Sequence, residues 1–190
     1  SGIRHMVVHG LRSEDQVTGS TDLNSSGYGI YLQGARYIRL DSVLVTKWAQ
    51  DGLRCESYDY GTGALSCNNL DIRGNAFLSN AGRGCLLTAG DSIFTSNQVG
   101  YNKSTGLSLA GFGVCSNNLI WNNQGDGVTM SSSQPIFVSN KVYDNADSGV
   151  VLSSGGCTIV GCNILRNNTA GNTGIAADPS GIYIAPPDTE

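Results

Sequence analysis

The chain has 190 residues and a net charge of −4, with 39% apolar and only 14% charged side chains, enough apolar material for one buried core. Its 11 Lys and Arg form no cluster of the kind that neutralises a phosphate backbone, and no apolar run reaches the length of a membrane span, so neither nucleic acid nor membrane is expected as a partner. Glycine, at 26 residues, is about twice its usual share and occurs with abundant Asn and Ser, a profile of short strands joined by tight turns.

Taken in chain order, residues 1–26 read as an incomplete repeat unit around Met6-Val7-Val8, followed by a loop from Ser13 to Ser26. His5 and His9 can share a face of this segment, but a metal site needs further ligands, and neither a metal nor any other cofactor is expected. From Gly29 onward a Gly followed by apolar, variable, apolar recurs at Gly29, Gly52, Gly84, Gly106, Gly127, Gly149 and Gly181. The intervals are 23, 32, 22, 21, 22 and 32, so the two long ones are the same unit with an insertion, at residues 56–66 and 169–180. The triplet is period-two alternation, the mark of a strand with one face inward. The anchor Gly is expected to supply the backbone freedom for the turn into that strand.

A second marker runs in phase. Asn75, Asn97, Asn118, Asn140 and Asn163 are each followed five residues later by Asn80, Asn102, Asn123, Asn145 and Asn168. Apolar residues flank the first Asn on both sides, from Ile72 and Phe77 to Val160 and Leu165, and Asp41 with Ile38 and Val43 begins the same column. Each unit, or rung, therefore holds a strand after the Gly, a second ending at the Asn and a short third after it. Stacked at the interstrand spacing, the aligned Asn side chains can form a buried hydrogen-bonded ladder. The predicted fold is all-β, a right-handed single-stranded parallel β-helix of about seven rungs forming one domain over residues 1–190. No amphipathic capping helix is visible at either end, so the chain is expected to be a fragment of a longer β-helix or to rely on neighbouring chains.

These columns resemble the pectin-lyase-like right-handed β-helix superfamily, whose repeats place such an Asn at the bend between the second and third strands. Within it the chain is most like the β-helix of a phage tailspike or tail appendage. That resemblance implies a carbohydrate-binding domain, with polysaccharide hydrolase or lyase activity left open. It further implies a polysaccharide or cell-surface glycan as partner, a homotrimer, and an extracellular or virion-surface location. A non-catalytic structural shaft or adhesin segment is the alternative, because fold alone does not select among these roles. The Asn-Thr-Asp and Gly-His-Gly motifs of polygalacturonases are absent.

Candidate chemistry gathers at the first insertion. Glu56 and Asp59, with Asp91 from the next rung, are the catalytic candidates, because paired acids can act as general acid and base. A general acid there needs a raised pKa, with Tyr58 or Tyr60 shielding it. Arg54, Tyr58, Tyr60, Arg83 and Trp48 are the substrate-binding candidates, as cations and aromatic faces suit sugar hydroxyls and rings. A purely structural reading competes with this: Asp51 and Arg83 occupy equivalent positions on adjacent rungs, where a surface ion pair accounts for both. Of the six Cys, Cys55, Cys85 and Cys115 fall at inward positions and are expected as buried thiols, while a Cys55–Cys67 disulfide is left open.

Overall fold

The structure is a computed structural model that describes residues 2–4, 7–9, 27–59, 64–111, 113–131, 134–153, 156–167 and 181–184. These form a parallel β-solenoid, and every strand in its three long sheets pairs with its counterpart on the next rung. Sheet 1 stacks the strands that follow the anchor glycines, from Ile30–Gln33 through Leu53–Glu56 and Cys85–Gly90 to Ile182–Ile184, with Cys67–Asn68 joining beside Cys85–Gly90. Sheet 2 runs from Gly2–Arg4 to Thr158–Val160 and sheet 3 from Val7–His9 to Asn163–Leu165, each seven strands deep. Strands Gly2–Arg4 and Val7–His9 thus continue the solenoid into the N-terminal segment. No helix occurs among the described residues.

The core is the sum of the inward columns. Leu53, Cys85, Leu107 and Val128 stack in sheet 1, Ile72, Phe94, Cys115 and Phe137 in sheet 2, and Phe77, Val99, Ile120 and Val142 in sheet 3, all fully buried. Burying an aliphatic side chain of this size contributes about 1.5–3 kcal/mol, so repetition of these columns supplies most of the driving force. The described cysteines are all free thiols, and Cys67 joins Cys55, Cys85 and Cys115 in the core.

The corners carry the polar interior. Between sheets 2 and 3, a left-handed residue such as Ser96 or Asn117 precedes each ladder Asn and turns the chain in two residues. Asn97 shows why an amide is needed. Its Oδ1 accepts from the backbone N and the Nδ2 of Asn75, and its Nδ2 donates to Ile72 O and to Asn118 Oδ1, at 2.9–3.2 Å. Every donor and acceptor of the side chain is matched, which is what a fully buried amide requires. A second ladder of the same construction runs through Asn80, Asn102, Asn123, Asn145 and Asn167 at the corner between sheets 3 and 1.

Four sequence expectations shift. Asn163 is exposed within strand Asn163–Leu165, and Cys162 takes the ladder position instead, its Sγ donating to Phe137 O at 3.4 Å. Likewise Asn167 rather than Asn168 closes the second ladder. At the other end Val43, not Asp41, stands at the corner, and its backbone N–H donates to Asn75 Oδ1 at 2.8 Å. Asp41 instead pairs with Arg39 on the outside of sheet 2. The anchor glycines are not left-handed; close approach explains them. A Cβ on Gly84 would stand 2.7 Å from both Gly106 O and Asn102 Nδ2.

Candidate functional site

On the outer face of sheet 1 one column reads Tyr31, Arg54, Leu86, Ser108, Thr129. Strand Leu53–Glu56 buries Leu53 and Cys55, so alternation directs Arg54 and Glu56 outward beside the first insertion. The Arg54 guanidinium pairs with Glu56, reaches Asp51 at 3.4 Å and lies 5.0 Å from the centroid of the Tyr28 ring. Tyr28 stacks on Tyr31 at 5.3 Å, and the Tyr31 hydroxyl donates to Glu56 Oε2 at 3.2 Å. Two rings, a cation and a carboxylate therefore form one closed cluster, with Arg54 Nε buried and unmatched by any hydrogen-bond acceptor.

Electrostatics follow from that geometry. The Arg54 guanidinium holds the Glu56 carboxyl below its usual pKa, against the opposing effect of its own partial burial. Partial burial, then the hydrogen bond to Glu56, raises the Tyr31 phenol, and the Glu56 hydrogen bond raises Arg54. An ionised Glu56 accepts hydrogen bonds; it is the opposite of the raised carboxyl that a general acid needs.

The remaining candidates are dispersed. Asp51 is buried, and its second oxygen accepts the backbone N–H of Arg83 at 2.8 Å; Asp126 does the same for Ser148 at 3.0 Å. The Asp51–Arg83 surface ion pair is thus replaced by a buried carboxylate that joins Arg54 to the next rung's backbone. The Arg83 side chain contributes to Glu56 only as a nearby positive charge. Trp48 stands at the corner position of the second ladder, its backbone N–H donating to Asn80 Oδ1 at 3.1 Å and its ring packed against the core. Asp91 is exposed in a left-handed turn three residues beyond Thr88, so about 10 Å along the strand from the level of Glu56. Strands Tyr58–Asp59 and Ala64–Leu65 pair antiparallel as a hairpin. The side chains of Tyr58 and Asp59 lie outside the described residues, as do Tyr60, His5 and the second insertion, residues 169–180. Among the described residues no group of three His, Cys, Asp or Glu is placed to hold a metal ion.

Tyr28 is the member of the cluster that sequence reasoning missed. The only signal was an aromatic residue immediately before an anchor Gly, outside the alternating triplet.

A family model described as "Right handed beta helix region" matches residues 7–164 and 113–185. Among solved structures, the Dettilon tailspike protein (gp208) superposes with a TM-score of 0.55 at 15% identity, over 88% of this chain and 44% of that one. At that identity the likeness is one of fold, and this chain spans less than half the length of the tailspike chain. No curated protein matches the sequence.

Proposed function

Since the chain belongs to the right-handed β-helix family, we propose that it is a glycan-binding segment of a tailspike-like or secreted protein, with its contact surface on sheet 1. The observation that carries this reading is the cluster of Tyr28, Tyr31, Arg54 and Glu56. Tyrosine faces stack on sugar rings, while a carboxylate and a guanidinium held in fixed relation bind vicinal hydroxyls or a sugar carboxylate. Mutual pairing preorganises these groups, so less freedom is lost when a ligand arrives.

The patch supports binding better than cleavage. Glycoside hydrolysis needs a protonated acid as well as a carboxylate, about 5–9.5 Å apart. Glu56, with its lowered pKa, fits only the carboxylate role. Asp59 on the hairpin is the candidate partner for hydrolase or lyase chemistry, with Asp91 of the next rung the second candidate. A polysaccharide or cell-surface glycan as partner, a homotrimeric assembly and a virion-surface or extracellular setting belong to the same proposal, by likeness to the tailspike fold.

One observation favours the rival reading of a structural shaft. Outward hydroxyls pair across rungs, Thr129 with Ser108 and Ser116 with Thr95 at 3.0 Å, and so satisfy one another without a ligand. A panel of immobilised bacterial surface polysaccharides separates the two. Retention of the wild type on at least one polysaccharide, lost in Arg54→Ala with its circular dichroism unchanged, supports binding. Retention on none supports the shaft.

A further inference from the structure

The outer face of sheet 3 carries a second aromatic cluster, on a different face from the first and on the rungs that follow it. Gly100, Trp121, Tyr143 and Leu165 share one column, each paired with the next. A Cβ on Gly100 would lie 2.8 Å from Cε2 and 3.0 Å from both Cδ2 and Cζ2 of Trp121. Three neighbouring ring atoms at nearly one distance place that point above the ring rather than at its edge. The indole therefore turns one face onto Gly100, and the Trp121 side chain as a whole is half-buried. Gly100 is the outward residue of its strand and is itself buried by that ring. Tyr101 stands against the indole edge-on, at 5.8 Å and 79°, and is 54% exposed. The two rings meet as an aromatic corner on this face.

The next rung adds charge. Lys141 Nζ lies 4.8 Å and the Arg166 guanidinium 6.0 Å from the Tyr143 ring centroid. Arg166 also makes two 2.9 Å bonds to Asp144, so two cations face one carboxylate in a chain whose net charge is −4. We propose that this face binds an acidic glycan, with a sugar ring stacked on Trp121 and a uronate-type carboxylate held by Lys141 and Arg166. The inference rests on the reading of the chain as a glycan binder, and it adds a second contact surface and the ligand's charge. The neighbouring column reads Gln98, Leu119, Lys141 and Asn163, with only the half-buried Leu119 apolar and the other three exposed, a more polar surface than a second copy of the chain would favour. The larger exposed aliphatic group, Ile93, Ile136 and Val160 at 41–54%, belongs to sheet 2, whereas among the described residues sheet 3 exposes Leu165 alone at 45%.

The chain has two Trp, and Trp48 is packed against the core, so Trp121 is the natural reporter. Fluorescence is titrated with alginate and hyaluronan oligosaccharides, and with dextran oligosaccharides as the neutral control. Trp48→Phe isolates the signal; if that variant does not fold, the difference between wild type and Trp121→Phe replaces it. A saturable change is expected with at least one uronate oligosaccharide and not with dextran. Lys141→Ala should weaken binding about fivefold, and added salt should weaken it further, as for a charge pair at a surface. An equal response to dextran, or none to either uronate series, overturns the proposal. A response that tracks rising light scattering assigns the face to a second copy and also overturns it. If the wild type is retained on the polysaccharide panel and Trp121→Ala binds equally well there, this inference fails while the sheet 1 reading stands. Retention and fluorescence both absent remove both.

Discussion

At the corner between sheets 2 and 3, Asn75, Asn97, Asn118 and Asn140 perform one task four times; on the outer face of sheet 1, Tyr31, Arg54, Leu86, Ser108 and Thr129 share a column that repeats only at its last two hydroxyls. Both regions are polar and both use paired side chains. They differ in what fixes the residue. A corner amide is buried between two copies of itself, so only another amide satisfies all four of its bonds. An outer position meets water on one side, so the residue there is free to vary and can answer to a ligand. In a solenoid, loss of the repeat on an outer face is therefore a more informative functional sign than the repeat.

Corner and strand can be separated by substitution. Asn118→Ala removes the acceptor for the backbone N–H and Nδ2 of Asn97 and the donors to Phe94 O and Asn140 Oδ1. Each orphaned buried group costs about 1–3 kcal/mol. A loss of about 3–5 kcal/mol is expected, or a fall of roughly 10 °C in thermal midpoint for a chain of this size. Asn163→Ala, at the exposed strand position, should stay within about 0.5 kcal/mol. Equal shifts in the two variants, read by thermal unfolding, would erase the distinction between ladder and strand.

Gly84→Ala tests the same corner through sterics. Its Cβ would meet a backbone oxygen and a ladder amide, neither of which can withdraw, so overpacking of about 1–3 kcal/mol is expected in urea unfolding. A neutral result would mean that the rungs can separate locally.

Thiol labelling sharpens the comparison along the solenoid. Burial pushes the Cys85 and Cys115 thiols well above their usual pKa, so both should resist alkylation in native protein at neutral pH. Cys157 and Cys162 are only half-buried and should be modified first in a time course read by mass spectrometry. Early loss of Cys85 would contradict its inward register.

A small effect on stability belongs to Glu56. A paired surface carboxylate is worth at most about 1 kcal/mol, so Glu56→Gln should scarcely move the unfolding midpoint. Because the folded pKa of Glu56 is depressed, its contribution is fully present above the unfolded value. It is lost only as pH falls through the lower folded value. Wild type and Glu56→Gln should therefore differ least at the acid end of a pH series of urea unfolding. A difference that grows on acidification would mean that the pair is not formed.

The middle rungs were legible from sequence because three columns agreed there. At the ends two frames compete. Around the last corner, Ile159, Cys162 and Ile164 face inward, but Val160, Asn163 and Leu165 give an equally apolar pattern one residue later. A one-residue slip reverses every side chain, and the Asn attracted the reading to the wrong frame. At the first corner Leu40, Val43 and Val45 are buried, while Ile38, Asp41 and Val43 mimic the expected spacing. Period two also placed Arg54 and Glu56 outward correctly. It said nothing of Trp48, because a corner residue belongs to neither face, nor of Asp51, whose carboxylate serves the backbone N–H of Arg83 one rung away.

The most direct test measures unfolding and polysaccharide retention together in Asn118→Ala and Arg54→Ala, at a temperature where both are folded. The expected result is a crossed pattern: Asn118→Ala loses thermal stability and keeps wild-type retention, while Arg54→Ala keeps its midpoint to within a few degrees and loses retention. Wild-type retention in Arg54→Ala would contradict the assignment of recognition to the irregular outer face.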